Sequence, residues 1–228
     1  MIKFHPSEQH LFHYVTGDLT PAMLMMVGTH VDMCPHCQNE IQHIEESLAQ
    51  KVFGQAQVPA ELTEQVSFDG ESMLASIMSQ TPKRITPVMR QDVPNELVLE
   101  GKRFQLPGTL ARNQHRVGEW QKILGQMWRA PVHVGGEDVL TFIYMDKDTR
   151  VPEHTHKGRE ATLVVNGVFN DERSEYRDGD FIFVDDSVIH TPETRHEDCL
   201  TLSALDAPMH FTSGLSRLLN PFSSLFFK

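Results

Sequence analysis

Two groups of residues have the types and spacing to hold a metal ion. The first is His30-Val-Asp-Met-Cys34-Pro-His-Cys37, the pattern His-x3-Cys-x2-Cys. Two thiolates two residues apart can grip one ion at a helix start, and the positive end of that helix favours thiolate over thiol. Structural zinc is normally closed by four protein ligands, so a fourth is needed here. His5, His10, His13, His36 and His43 are the candidates. Two other readings compete. A Cys-x2-Cys pair can be a redox dithiol, but the βαβ setting which that chemistry uses is absent around it. Both Cys could also be buried apolar positions beside a surface His. Zinc is the favoured reading.

The second group is His154-Thr-His156-Lys-Gly-Arg-Glu160, with His190 thirty residues beyond Glu160. Residues two apart on a strand face the same side, so His154 and His156 would point together into a barrel. Between Glu160 and His190, Asp178-Gly179-Asp180 reads as a tight turn, and the strand after it is expected to end near His190. Three imidazoles and a carboxylate suit zinc, iron, manganese, nickel or copper. A His pair alone on a strand is ordinarily an exposed polar pair; four ligands at these separations in a β-rich segment argue for a metal. The other His residues read as ordinary polar positions.

The elements that must position these groups change character along the chain. Up to about residue 80 the pattern is helical. Ser7 caps a stripe of Leu11, Tyr14 and Val15 that Gly17 stops, and Thr20-Pro21 starts a second helix running to about Val31. A third is expected from Pro35 to about Phe53, with Ile41, Ile44 and Leu48 on its inner face, and a short fourth after Asp69-Gly70 carries Met73, Leu74, Ile77 and Met78. Residues 81–95 are polar and Pro-punctuated, as in a linker. Beyond them the period becomes two: Val139–Met145, Ala161–Phe169, Asp180–Val184 and Cys199–Leu205 read as short strands between Gly, Asp and Asn turns, the pattern of a sandwich or barrel. The expectation is a multi-domain α plus all-β chain: a four-helix zinc-binding bundle over 1–80, a linker over 81–95 and a β-barrel over 96–228. The apolar tail from Leu215 to Phe227, broken by Pro221, could serve as a homodimer contact of the β half; packing on its own barrel is favoured, because exposed apolar patches are uncommon.

Composition narrows the function. The 228 residues carry a net charge of −11 and are 39% hydrophobic and 22% charged, the balance of a folded chain. An acidic surface argues against direct nucleic-acid binding, which needs clustered Lys and Arg. The first residues lack the apolar run of a secretory signal, and no window is apolar enough to span a bilayer, so a cytoplasmic protein without membrane contact is expected. Three Cys make no disulfide framework, and thirteen His point instead to a metalloprotein.

These motifs also carry a resemblance. His154-x-His156-x3-Glu160, then Gly179 and His190, resembles the two motifs of the cupin superfamily, whose fold is a small β-barrel. The first half resembles the zinc-binding anti-sigma domain, marked by His-x3-Cys-x2-Cys and an upstream His. The two in this order over nearly the whole chain resemble the ChrR family of zinc anti-sigma factors. In that family the upstream ligand lies 25 residues before the motif His, which selects His5 and passes over His10 and His13. One departure is that Asp148-Thr149-Arg150 stands where cupins often have a Gly before the His pair.

The resemblance implies transcriptional control: binding and inhibition of an extracytoplasmic-function sigma factor through the helical domain, with release on oxidative stress such as singlet oxygen through the cupin domain. It implies zinc in the first site, and zinc or another divalent transition metal in the second. The acidic charge fits independently, because a sigma factor's polymerase-facing and DNA-facing surfaces are basic. Met23, Met25, Met26, Met73 and Met78 exceed what a small helical core needs, and adaptable Met surfaces are common where a partner docks, although a plain core role has equal standing. The runner-up is a metal-dependent cupin enzyme, dioxygenase-like, acting on a small molecule. A helical zinc domain is superfluous for such an enzyme, and redox chemistry would need iron rather than zinc.

Overall fold

A computed structural model describes residues 1–54, 69–80, 95–123, 125–136, 138–212 and 220. Helices occupy the first part of the chain and an antiparallel β-structure the second. The chain opens with α1 (Glu8–Thr16), whose Ser7 side chain accepts the His10 N–H and whose C-terminus closes on Gly17 at φ 79°. Thr20 caps α2 (Pro21–Met33) by accepting from Met23 N–H, with Pro21 in the first turn. Then come α3 (Pro35–Phe53) and α4 (Gly70–Ser79), the latter capped by the Asp69 carboxylate on Ser72 N–H. Residues 81–94 of the expected linker, and the apolar tail except Asn220, lie outside the described residues.

Among the described residues the chain divides into two compact units, Met1–Ile44 with Pro94–Lys228 and, separately, Glu45–Val93. The division by packing is therefore not the division by composition: α1, α2 and the start of α3 share a unit with the β-structure. The reason lies in α2. Ala22, Met25, Met26, Val27, Gly28, Thr29 and His30 are all buried, so this helix is covered on nearly every side. It packs on a short helix, α5 (Gly108–Arg112), and on the sheet itself.

The main sheet is antiparallel in the order β3 (Gln121–Lys122), β4 (Met127–Val132), β5 (Val139–Met145), β10 (Cys199–Leu205), β7 (Glu160–Asn170), β8 (Glu175–Arg177), and β9 (Phe181–Val184) also pairs with β7. The hairpin β1 (Glu96–Leu99) and β2 (Lys102–Gln105) precedes it, and β6 (His154–His156) pairs with β11 (Met209–Phe211). The central strand β10 is buried at every residue because both of its faces are covered. One face, with Leu200, Leu202, Leu140 and Phe142, joins a single apolar core with Met26 and Val27 of α2. The other, with Thr201 and Ser203, lines a cavity together with His154, Glu160 and His190. α2 thus covers the outer face of the sheet whose other face carries the second His group.

In the second unit α4 has no buried residue, and Met73, Leu74, Ile77 and Met78 are exposed. The Met-rich set therefore splits: Met25 and Met26 are core, Met73 and Met78 are surface.

Candidate metal centres

The structure brings His5, His30, Cys34 and Cys37 together, with one ligand atom of each within 4.8 Å of the others. His30 Nε2 lies 3.2 Å from Cys37 Sγ, and His5 Nδ1 lies 3.4 and 3.5 Å from the sulfurs of Cys34 and Cys37. A nitrogen–sulfur edge of a tetrahedral zinc site is about 3.5 Å, given Zn–S near 2.3 Å and Zn–N near 2.0–2.1 Å, so the donor set fits such an ion. Cys34 directly precedes α3 and Cys37 lies in its first turn, where the free N–H groups favour negative charge. Burial, then the neighbouring Cys34, pushes the Cys37 thiol up to about 12 in the absence of an ion. A cation is what would make two buried thiolates tolerable.

Two of these residues are held by the β-structure. His30 Nδ1–H donates to the Gly179 carbonyl at 2.7 Å, which leaves Nε2 as the lone-pair nitrogen facing Cys37. Burial holds the imidazole down to about 4, against the pull of that carbonyl, so it stays neutral. Asp180, itself buried, accepts from Lys3 N–H at 2.6 Å and Phe4 N–H at 3.1 Å with one oxygen, and from Arg177 N–H at 2.9 Å with the other. Phe181 N–H donates to Phe4 O at 2.9 Å. The segment carrying His5 is therefore fastened to the start of β9. Gly179 adopts φ 86°, and a Cβ there would come within 2.4 Å of Ile2 Cδ1. Only glycine fits that crossing. Of the other fourth-ligand candidates, His36 stacks edge-on against His5, His10 lies against Phe183, and His13 reaches toward Asp18.

The second group is His154, His156, Glu160 and His190, again with ligand atoms within 4.8 Å, and all four are buried. Nε2 of His190 lies 3.1 Å from that of His154 and 3.3 Å from that of His156. His154 Nδ1–H donates to Pro152 O at 2.8 Å, so its lone pair faces the other rings. Converging lone pairs repel unless a cation lies among them, and that is the donor chemistry of a metal site. Burial first, then the His190 charge, holds His154 down to about 4. Glu160 Oε1 accepts from Ser203 Oγ at 2.8 Å and Thr162 Oγ1 at 3.0 Å, which leaves Oε2 turned to His156 Nε2 at 2.7 Å. Burial opposes ionisation of Glu160, but the His156 charge and hydrogen bond overcome it and keep the carboxyl ionised. Asp171 Oδ2 stands 3.8 Å behind His190 Nδ1.

The expected strand pairing puts His154 and His156 on the same side of β6. His190, expected near the end of a strand, instead follows a turn after β9, which stops at Val184, and is placed by a two-way backbone bridge with His154 at 3.1 Å. Asp148 takes φ 56°, the left-handed conformation that a Gly would supply at that turn. Residue-by-residue reading did not reach Ser203, Asp171 or Asp180, because each acts from a remote strand or loop without a spacing motif; Thr162, two residues from Glu160 on β7, carries no motif of its own.

Fold and sites define a cupin-like protein whose barrel carries one His-rich centre inside and a His/Cys centre where N-terminal helices meet its wall. The family model of the ChrR cupin-like domain matches residues 111–207. The anti-sigma-E factor ChrR of Cereibacter sphaeroides is 31% identical over 231 residues, which is 97% of this chain and 98% of the relative. The chain belongs to the ChrR family. Among solved structures, the crystal structure of Rhodobacter sphaeroides SigE in complex with the anti-sigma ChrR is similar with a TM-score of 0.63 and 27% identity, covering 90% of this chain and 100% of that one.

Proposed function

We propose that this chain is an anti-sigma factor: it binds an extracytoplasmic-function sigma factor in the cytoplasm, keeps it from RNA polymerase, and releases it on oxidative stress, singlet oxygen or a related oxidant. The role is regulatory rather than catalytic. The observation that carries it is the near-full-length likeness to a chain whose crystal structure is a complex with a sigma factor. In this reading residues 1–80 bind the partner, 81–95 link and 96–228 respond. Supporting it are the net charge of −11, which complements a basic partner, and the exposed apolar residues of α4, the kind of surface a partner covers. No helix among the described residues is long and apolar enough to cross a membrane.

His5, His30, Cys34 and Cys37 would hold zinc, because two thiolates and two imidazoles in a closed tetrahedron are its structural chemistry. His154, His156, Glu160 and His190 would hold zinc or another divalent transition metal. The test is co-purification of the full chain with an extracytoplasmic-function sigma factor of the same cell, together with repression of that factor's reporter. A sigma factor that transcribes unhindered in the presence of excess metal-loaded chain overturns the proposal. Elemental analysis should give two metals per chain, falling to one in a Cys34→Ser, Cys37→Ser variant.

A further inference from the structure

The cavity inside the barrel has a volume of about 100 Å³. One water needs roughly 10–15 Å³ on this measure, so there is room for a ligand of roughly seven to ten non-hydrogen atoms. Its walls are mostly apolar, with Ile143, Val151, Ile182, Met209 and Phe211 among them, and His154, Glu160 and His190 line it too. One cation faces the same space. Arg129 lies on β4, paired across the sheet with Gln121 and Ile143, and its side chain lines the cavity. Its Nε is buried and has no hydrogen-bond partner among the described residues. Its one side-chain hydrogen bond among the described residues is from Nη2 to Gln121 Oε1 at 3.4 Å, and no carboxylate among them pairs with it. A guanidinium Nε–H buried beside apolar walls without an acceptor is a costly arrangement unless something else supplies the oxygen.

We infer that this cavity is a binding site for a small organic carboxylate, whose carboxylate pairs with Arg129 and whose apolar body lies along Ile143, Ile182, Met209 and Phe211. Charge favours a single anion. The carboxylates of Glu160 and Asp171 face the cavity, Arg129 offsets one of them, and a divalent ion on the His154 group leaves one positive charge over. Burial alone already lowers the affinity of Arg129 for its proton, which an incoming carboxylate would reverse. Arg presents paired N–H donors that match the two oxygens of a carboxylate, which an alcohol cannot reproduce. The inference rests on the proposal that the His154 group holds a metal, and it gives the responding half of the protein a ligand.

The test is calorimetric titration of the metal-loaded full chain with hexanoate and, in parallel, hexan-1-ol, with metal content measured on the same samples. Hexanoate should saturate at one per chain. Arg129→Met should weaken it roughly ten- to a hundredfold, the worth of a charged hydrogen-bonded pair, while hexan-1-ol binds alike to both proteins. Arg129→Lys, which keeps the cation, should lose much less than Arg129→Met, and this controls for a general disturbance of β4. Absence of hexanoate binding to a chain that holds two metals, equal affinity for the acid and the alcohol, or an Arg129→Met variant with undiminished affinity for hexanoate would overturn the inference alone. A chain whose metal content is unaffected by His154→Ala would instead overturn the metal reading on which it rests.

Discussion

At the level of single residues, the side chains that hold the two clusters in place matter as much as the candidate ligands themselves. Asp180 is the clearest case: it gathers three backbone N–H groups, two of them from the segment that delivers His5. Asp180→Ala leaves those donors without their carboxylate, a loss of about 2–4 kcal/mol at roughly 1–3 kcal/mol for each unsatisfied group, allowing for partial access to water. At about 2–4 °C per kcal/mol for a chain of this size, the melting temperature should fall by roughly 5–15 °C. Because His5 is released with its segment, zinc should also pass faster from the His/Cys centre to a chromogenic chelator. Unchanged transfer kinetics would mean that His5 is not held by Asp180. Ser203 plays the corresponding part in the barrel, where it fixes one oxygen of Glu160 so that the other faces the imidazoles. Ser203→Ala should lower metal affinity at that centre about tenfold, read by competition with a chelator, while the His/Cys centre is unaffected. The ligand-type residues themselves were legible in the sequence because thiols and imidazoles at fixed spacing are rare and their periodicity is local. Asp180 and Ser203 were not, since a carboxylate acting 176 residues from its partner leaves no local signature.

Among the elements, the caps and helix limits were also legible, since Ser7, Thr20, Asp69 and Gly17 act within one turn of their own helices. The environment of each helix was less so. The buried face of α2 extends almost all round, and Met26 shares a core with Phe142, Leu200 and Leu202. The signal was present in Ala22-Met-Leu-Met-Met-Val-Gly-Thr-His30, which is apolar on more faces than a helix with one solvent side requires. α4 is the opposite case, with its apolar residues exposed. The two helices should therefore respond oppositely to mutation. Met26→Ala should cost about 2–5 kcal/mol in chemical denaturation, because it empties a closed site between helix and sheet. A Met73→Ser, Met78→Ser variant should stay within about 0.5 kcal/mol of the parent, yet bind the sigma factor at least tenfold more weakly if α4 is part of the docking surface. Equal sigma affinity in parent and double variant would remove α4 from the interface.

Across the whole molecule, the two centres are joined by one strand. Glu160 of the inner centre starts β7, and β7 pairs with β9 from Glu160 opposite Val184 to Leu163 opposite Phe181. The start of β9 is the seat of the outer centre, where Phe181 N–H binds Phe4 O and the adjoining Gly179 carbonyl binds His30. A change at the inner centre that shifts β7 against β9 thus has a direct mechanical path to His5 and His30, in addition to any route through residues 81–95. For such a path to release a partner, the signal must favour the released state over the bound one; moving from 99% of one to 99% of the other takes about 5.5 kcal/mol of differential free energy. Loss of a ligand, or of a metal held there, would be of that order in a buried His/Glu centre, because unpaired buried charges are costly. Inhibition and response should then separate. His154→Ala, His156→Ala, Glu160→Gln and His190→Ala chains should still repress the sigma-dependent reporter, since the His/Cys centre and α4 are intact, but oxidant should no longer induce it. Induction at the parental level in all four variants would exclude the inner centre as the sensor and shift that role to the thiolates of Cys34 and Cys37, whose reactivity zinc and burial would have to moderate.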